Sequence, residues 1–94
     1  MTESPPENLE YRRKRLLYRA RYTGMKETDL ILGRFAERNL ATFSDRELDL
    51  FEHLLEAGDP LIFAWVSGRE PPPAAHDTEM LKRIRRFHLD SAVP

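Results

Sequence analysis

Apolar positions along this chain recur three and four residues apart, and nowhere alternate for long enough to define a strand. From Leu9 to Tyr22 the inward candidates are Leu9, Leu16, Leu17 and Ala20, set among arginines and tyrosines. From Lys26 to Asn39 they are Leu30, Ile31, Phe35 and Ala36. A third stripe comprises Leu48, Phe51, Leu54 and Leu55, and a short fourth segment, Pro60 to Val66, is apolar nearly all round and predicted to be buried. Phe63 and Trp65 on that segment are expected in the core or at its edge. Met80, Leu81, Ile84 and Phe87, with His88 alongside, mark a fifth helix. The pattern predicts an all-α fold, a small five-helix bundle.

Punctuation supports these boundaries. Ser44-Asp45-Arg46-Glu47 reads as a capping box, in which serine and glutamate satisfy each other's backbone donors. Gly58 is placed to end the third helix. Asp59-Pro60 then offers an N-cap followed by proline at the first helical position. Gly68 and Pro71-Pro72-Pro73 predict an extended connector, after which Asp77 can cap the last helix. The organisation expected is a flexible segment over 1–8, one helical domain over 9–90 and a short tail over 91–94, with no internal repeat.

Composition narrows the possibilities. Ninety-four residues, 40% hydrophobic and 33% charged, fit one small globular domain with a core that is adequate rather than generous. No apolar run approaches the roughly 18 residues of a membrane span. The acidic opening lacks a signal core and is not the arginine-rich start of a transit peptide, so a bacterial cytoplasm is the simplest compartment. There is no cysteine, hence no disulfide, thiolate nucleophile or Cys-based metal site. His53, His76 and His88 are far apart in sequence without zinc spacing, and His53 reads as a solvated residue of the third helix. No nucleophile elbow, glycine-rich phosphate loop or Walker pattern is present. The chain reads as a non-enzyme.

The net charge of −1 conceals a segregation. Residues 11–26 carry seven Arg or Lys and no acid, whereas residues 27–59 carry nine Asp or Glu against three Arg. If the fold keeps these segments apart, the molecule is dipolar, which favours oriented docking on a protein. Arg12-Arg13-Lys14-Arg15 admits three readings: a solvated face, a protein-docking face, or a nucleic-acid contact. Consecutive cations on a helix point to all its sides and make no single phosphate-tracking stripe, which weighs against the last.

Between the first two helices lies Thr23-Gly24-Met25-Lys26-Glu27. A glycine there can adopt positive φ and bares peptide groups to close approach, while Glu27 complements the dipole at the start of the next helix. An ordinary helix–helix turn explains these residues equally well on spacing alone. A combination is more specific: Arg15-Leu16-Leu17-Tyr18, Gly24-x-x-Glu27, the Ser44-capped helix and Asp59-Pro60 leading to Trp65. In that order, over about Leu9 to Gly68, the chain resembles the FAD assembly factor family of succinate dehydrogenase, the bacterial SdhE proteins and their mitochondrial counterparts. The family's Arg-Gly-x-x-Glu is matched at Gly24 and Glu27, but Thr23 stands at the arginine position, with Arg21 two residues earlier as a candidate substitute.

The resemblance implies a chaperone-like assembly factor that binds the flavoprotein subunit of succinate dehydrogenase and promotes covalent FAD attachment to a histidine of that partner. Related fumarate reductase flavoproteins are candidate further clients. It also implies a partner-binding site at Arg15, Tyr18, Arg21, Gly24, Met25 and Glu27, no catalytic or metal-binding residue, and no tightly bound cofactor, FAD being associated with the partner. The alternative class is a basic-face nucleic-acid-binding or toxin-neutralising helical module, which would show steeply salt-dependent binding to nucleic acid.

Overall fold

The computed structural model describes residues 9–92. Five α-helices follow one another: α1 (Leu9–Arg21), α2 (Lys26–Asn39), α3 (Asp45–Leu55), α4 (Asp59–Val66) and α5 (Glu79–Ala92). Single 3-10 turns at Leu40–Thr42 and Ala74–His76 interrupt the connections. Among the described residues there is no strand. The all-α expectation holds. The expected N-terminal segment 1–8 lies outside the described residues, as do 93–94; α5 itself runs two residues into the stretch expected as a tail.

The capping box closes as its spacing requires. The Glu47 N–H donates to Ser44 Oγ at 3.2 Å, and the Ser44 N–H donates to Glu47 Oε1 at 2.8 Å. Two other caps differ from expectation. Gly58, with φ 92°, is the N-cap of α4, so Asp59 and Pro60 are already helical. The Leu54–Leu55 end of α3 must reverse within three residues, and a glycine with positive φ makes that reversal. At α5 the Leu81 N–H finds Thr78 Oγ1 at 3.2 Å, so Thr78 rather than Asp77 is the cap.

The core has an aromatic centre. Phe35 of α2 lies 6.0 Å from Phe43, 6.1 Å from Phe51 and 5.5 Å, edge-on, from Phe87, measured between ring centroids. Leu16, Ala20, Leu32, Leu48, Ile62, Trp65, Met80, Leu81 and Ile84 enclose it. On α2 the sequence placed Leu30 inward, but Leu30 is 50% exposed and Leu32 is buried. The reason is that α2 is clasped on two sides, by α1 and by α4 and α5. Its buried face is therefore wide, centred on Thr28, Leu32, Gly33, Phe35 and Ala36. Similarly α4 buries Ile62, Trp65 and Val66, while Leu61 is exposed and Phe63 is half-buried beneath the Arg69 guanidinium, 5.3 Å from its ring centroid.

The charge segregation seen along the chain is spent on packing. Arg12, whose side chain is only 15% exposed, donates to Asp49 at 2.6 Å and to Glu52 at 3.0 Å. Arg15 and Arg19 reach the other Glu52 oxygen at 3.6 and 3.5 Å. Arg13 donates to the Phe43 carbonyl at 2.6 Å. The basic helix α1 is thus laid along the acidic helix α3, and the expected dipole is largely neutralised at this seam.

Candidate functional site

The α1–α2 corner is built around one carboxylate. Asp29 Oδ1 accepts from both the backbone N–H and the hydroxyl of Thr23, each at 2.6 Å. The Thr23 hydroxyl, then the Thr23 and Gly24 amides, hold the Asp29 carboxyl below its ordinary value of 3.8 against the opposing effect of desolvation. The Asp29 N–H in turn donates to the Met25 carbonyl at 2.9 Å, which starts α2. Thr23 therefore has a local duty: it fastens the turn. At the position where the Arg-Gly-x-x-Glu pattern has arginine, this chain has a hydrogen-bonding residue that faces its own second helix.

Gly24 adopts φ 120°, a conformation that L side chains rarely take. A Cβ built there would lie 2.7 Å from Asp59 Oδ2. The short Asp59 side chain can rotate away, so the backbone conformation is the stronger reason for glycine. The contact nonetheless shows that the start of α4 presses on the corner. Met25 occupies the N-cap position of α2 with extended φ and ψ and is half-buried. Glu27 is exposed in the first turn and takes part in no hydrogen bond or ion pair among the described residues.

Beside the corner, α1 presents an aromatic face. Tyr18 is 65% exposed and Tyr22 66%, and their rings lie 4.7 Å apart. A shallow groove of about 310 Å³ runs from these tyrosines past Arg19 and Thr23 to Leu55, Gly58, Asp59 and Pro60. Its lining mixes apolar side chains, Leu55, Pro60 and the tyrosine rings, with Asp59 and Arg19. Such a surface suits a protein partner that brings an apolar side chain flanked by donors.

Of the six residues expected at the site, Tyr18, Gly24, Met25 and Glu27 surround this corner. Arg15 sits farther along α1, paired with Glu52. Arg21 is directed elsewhere: its Nε and Nη2 donate to Glu37 Oε2 at 3.0 and 2.6 Å, on the α2 side. It lines a different groove, with Lys26, Leu30 and Gly33. The guanidinium offered as a substitute for the missing arginine is already engaged. The sequence reading missed Tyr22, Asp29 and Asp59. Tyr22 was within reach, since it repeats the Tyr18 face at i, i+4; Asp59 joins the corner only through tertiary contact.

The groove carries charges of both signs, Arg19 and Asp59. Among the described residues no three His, Asp or Glu side chains are grouped to hold a metal ion. Among the described residues no helix is long and apolar enough to cross a membrane. Fold and site together define a small five-helix protein whose surface offers an aromatic face beside a glycine corner.

Residues 14–88 match the family described as flavinator of succinate dehydrogenase. The chain is 42% identical to the FAD assembly factor SdhE of Acetobacter pasteurianus, over 83% of this chain and 72% of that protein. It is 37% identical to a mitochondrial succinate dehydrogenase assembly factor 2-B of Drosophila mojavensis, over 94% of this chain but 57% of that relative's length. To the mitochondrial assembly factor 2 of Caenorhabditis elegans it is 32% identical, over 98% of this chain and 80% of the other. The chain belongs to the succinate dehydrogenase FAD assembly factor family.

Proposed function

We propose that this protein binds the flavoprotein subunit of succinate dehydrogenase and promotes covalent attachment of FAD to it, acting as an assembly factor and not as a catalyst. Family membership and the relatives' names support the client, and the exposed Glu27 beside the Gly24 corner and the Tyr18–Tyr22 face is the observation that carries the site. The partner retains the FAD, and the bond-forming chemistry is the flavin's own. Fumarate reductase flavoproteins, being related, are candidate further clients. The SdhE relative, from a bacterium, supports a bacterial cytoplasm as the place of action.

A rigid bundle can act here by binding one domain arrangement of the client more tightly than others. A differential affinity of about 2–3 kcal/mol enriches the favoured arrangement roughly 30- to 150-fold. Holding reacting groups in near-attack geometry is then sufficient to accelerate their joining. The Tyr rings supply apolar contact with few rotatable bonds, and Gly24 permits the client's backbone to approach.

The nucleic-acid alternative loses ground at the α1–α3 seam. Arg12, Arg13, Arg15 and Arg19 are committed to carboxylates or a carbonyl. Titration of the purified flavoprotein subunit with wild-type and Glu27→Ala protein, together with flavinylation measured on the same samples, tests the proposal. Wild-type binding that is lost in the variant supports it; equal binding by both removes Glu27 from the site.

A further inference from the structure

The proline-rich connector between α4 and α5 is fastened midway by a stack of three rings. His76, on the Ala74–His76 turn, lies 4.9 Å from the Trp65 ring of α4 and 4.4 Å from the His53 ring of α3, with interplanar angles of 29° and 12°. Three elements far apart in sequence therefore meet ring on ring. His53 Nε2 is 3.1 Å from the Ala75 carbonyl oxygen, a hydrogen bond that requires the proton on Nε2. His76 Nδ1 is shielded from solvent and has no hydrogen-bond partner. The backbone of the turn is held by the His76 N–H donating to Pro73 O at 2.9 Å and the Asp77 N–H donating to Ala74 O at 3.3 Å.

This arrangement does not suit a protonated His76. A proton added at His76 Nδ1 would be a buried donor without an acceptor, and two imidazolium rings at this spacing repel each other. The Trp65 indole covers one face of His76 and brings no charge. From α3 the facing group is His53; the carboxylates one turn or less from it are Asp49, Glu52 and Glu56. Asp49 and Glu52 are held by Arg12. On the connector Asp77 follows His76 and is exposed. Among the described residues no carboxylate hydrogen-bonds or ion-pairs with either imidazole, so nothing built into the stack compensates a second positive charge.

We propose that the Trp65–His76–His53 stack is a pH-sensitive clasp, which holds residues 70–78 against α3 and α4 near neutral pH and releases them on acidification. Desolvation, then the charge on His53, hold His76 below its ordinary value of 6.5. Because the folded-state value is the lower one, the unfolded or opened connector takes up the proton more readily. The clasp is therefore fully effective above the ordinary value and weakens as pH falls through it, until the folded-state value is reached. Opening would free the start of α5 at Thr78 and bare one face of Trp65.

Trp65 is the chain's single tryptophan, so its emission reports directly on the stack. Wild-type, His76→Phe and His53→Phe proteins are taken from about pH 8 to about pH 5. Tryptophan emission, helicity by circular dichroism, and exchange protection of the His76 and Asp77 amides relative to core amides of α3 are followed. In wild type the expected result is a red-shifted emission and about a tenfold loss of relative protection at those two amides, with helicity unchanged. His76→Phe keeps a ring in the stack but cannot be protonated, and its emission and protection should be flat. His53→Phe removes the neighbouring charge and brings the closed-state value of His76 nearer the ordinary one, so the acid-induced loss of relative protection should be smaller than in wild type, whatever the loss of the Ala75 hydrogen bond does to the resting clasp. The proposal is overturned by a wild-type protein that does not change over this range, by a wild-type transition surviving in His76→Phe, or by helicity lost in step with the emission. Should His76→Phe fail to fold, the size of the His53→Phe response decides: an acid-induced loss of protection as large as in wild type overturns the clasp.

Discussion

At the scale of single residues, the corner separates side chains that build the turn from those to which the proposed function assigns docking. Thr23, Gly24 and Asp29 build the turn; Glu27 and the two tyrosines face outward. Glu27→Ala should leave the melting temperature close to wild type, because a first-turn carboxylate at an exposed site contributes only about 0.3–1 kcal/mol. If Glu27 meets a donor on the flavoprotein, the same change should cost about 2–5 kcal/mol of binding, read by titration. Gly24→Arg should uncouple function, combining a backbone penalty of about 1–2 kcal/mol with a bulky group at the contact. Flavinylation by that variant at the wild-type level would show that the corner is not where the client docks.

Thr23 can also be tested. Thr23→Val removes the hydroxyl that contributes most to lowering the Asp29 carboxyl, and should destabilise the fold by about 0.5–1.5 kcal/mol at neutral pH. The sign with pH is fixed. A depressed carboxyl stabilises above its ordinary value of 3.8, and that contribution is lost as pH falls through the folded-state value. The gap between variant and wild type, measured by denaturant unfolding, should therefore narrow in acid. A gap independent of pH would mean that the hydroxyl stabilises the turn without acting through Asp29. Thr23→Arg, which restores the family's residue, should leave client affinity unchanged or strengthen it, even though this Thr23–Asp29 bond is given up.

At the scale of elements, α4 is short and depends on what covers it. Eight residues make too few backbone hydrogen bonds to be stable alone, so its order comes from Ile62, Trp65 and Val66. Trp65→Ala should cost about 3–5 kcal/mol, with additional loss of the ring on which His76 rests. A variant that melts like wild type would contradict the packing. The effect should reach the proposed docking corner as well, because the start of α4 presents Asp59 to Gly24.

For the whole molecule, the seam of α1 on α3 is the main electrostatic commitment. Arg12 is shielded and bound to two carboxylates, whereas Arg21 and Glu37 form an exposed pair. Arg12→Ala should destabilise by about 1.5–3 kcal/mol, the range for hydrogen bonds to charged groups. Arg21→Ala should cost no more than about 1 kcal/mol, as surface pairs do. Denaturant unfolding of the two variants side by side measures the difference; equal effects would mean that the seam is as well solvated as the surface.

Much of this protein was legible in its sequence because the relevant physics is local. Hydrophobic period marked all five helices, Ser44 and Glu47 specified a cap that closes within four residues, and Gly24 announced a turn that needs positive φ. The stripe of α3 was read residue for residue, since that helix buries one narrow face. Local rules failed where an element touches more than one neighbour. Leu30 and Leu32 are both apolar, and only the positions of α1, α4 and α5 decide which is covered. Charge counts along the chain suggested a dipole, yet helix packing turned the same charges into ion pairs. His53 and His76 had nothing in common in the sequence; the return of the connector across α3 and α4 put their rings 4.4 Å apart. Periodicity and capping, which act over a few residues, are written in the sequence, whereas the partners of each exposed side chain are set by loop closure and packing across the whole bundle.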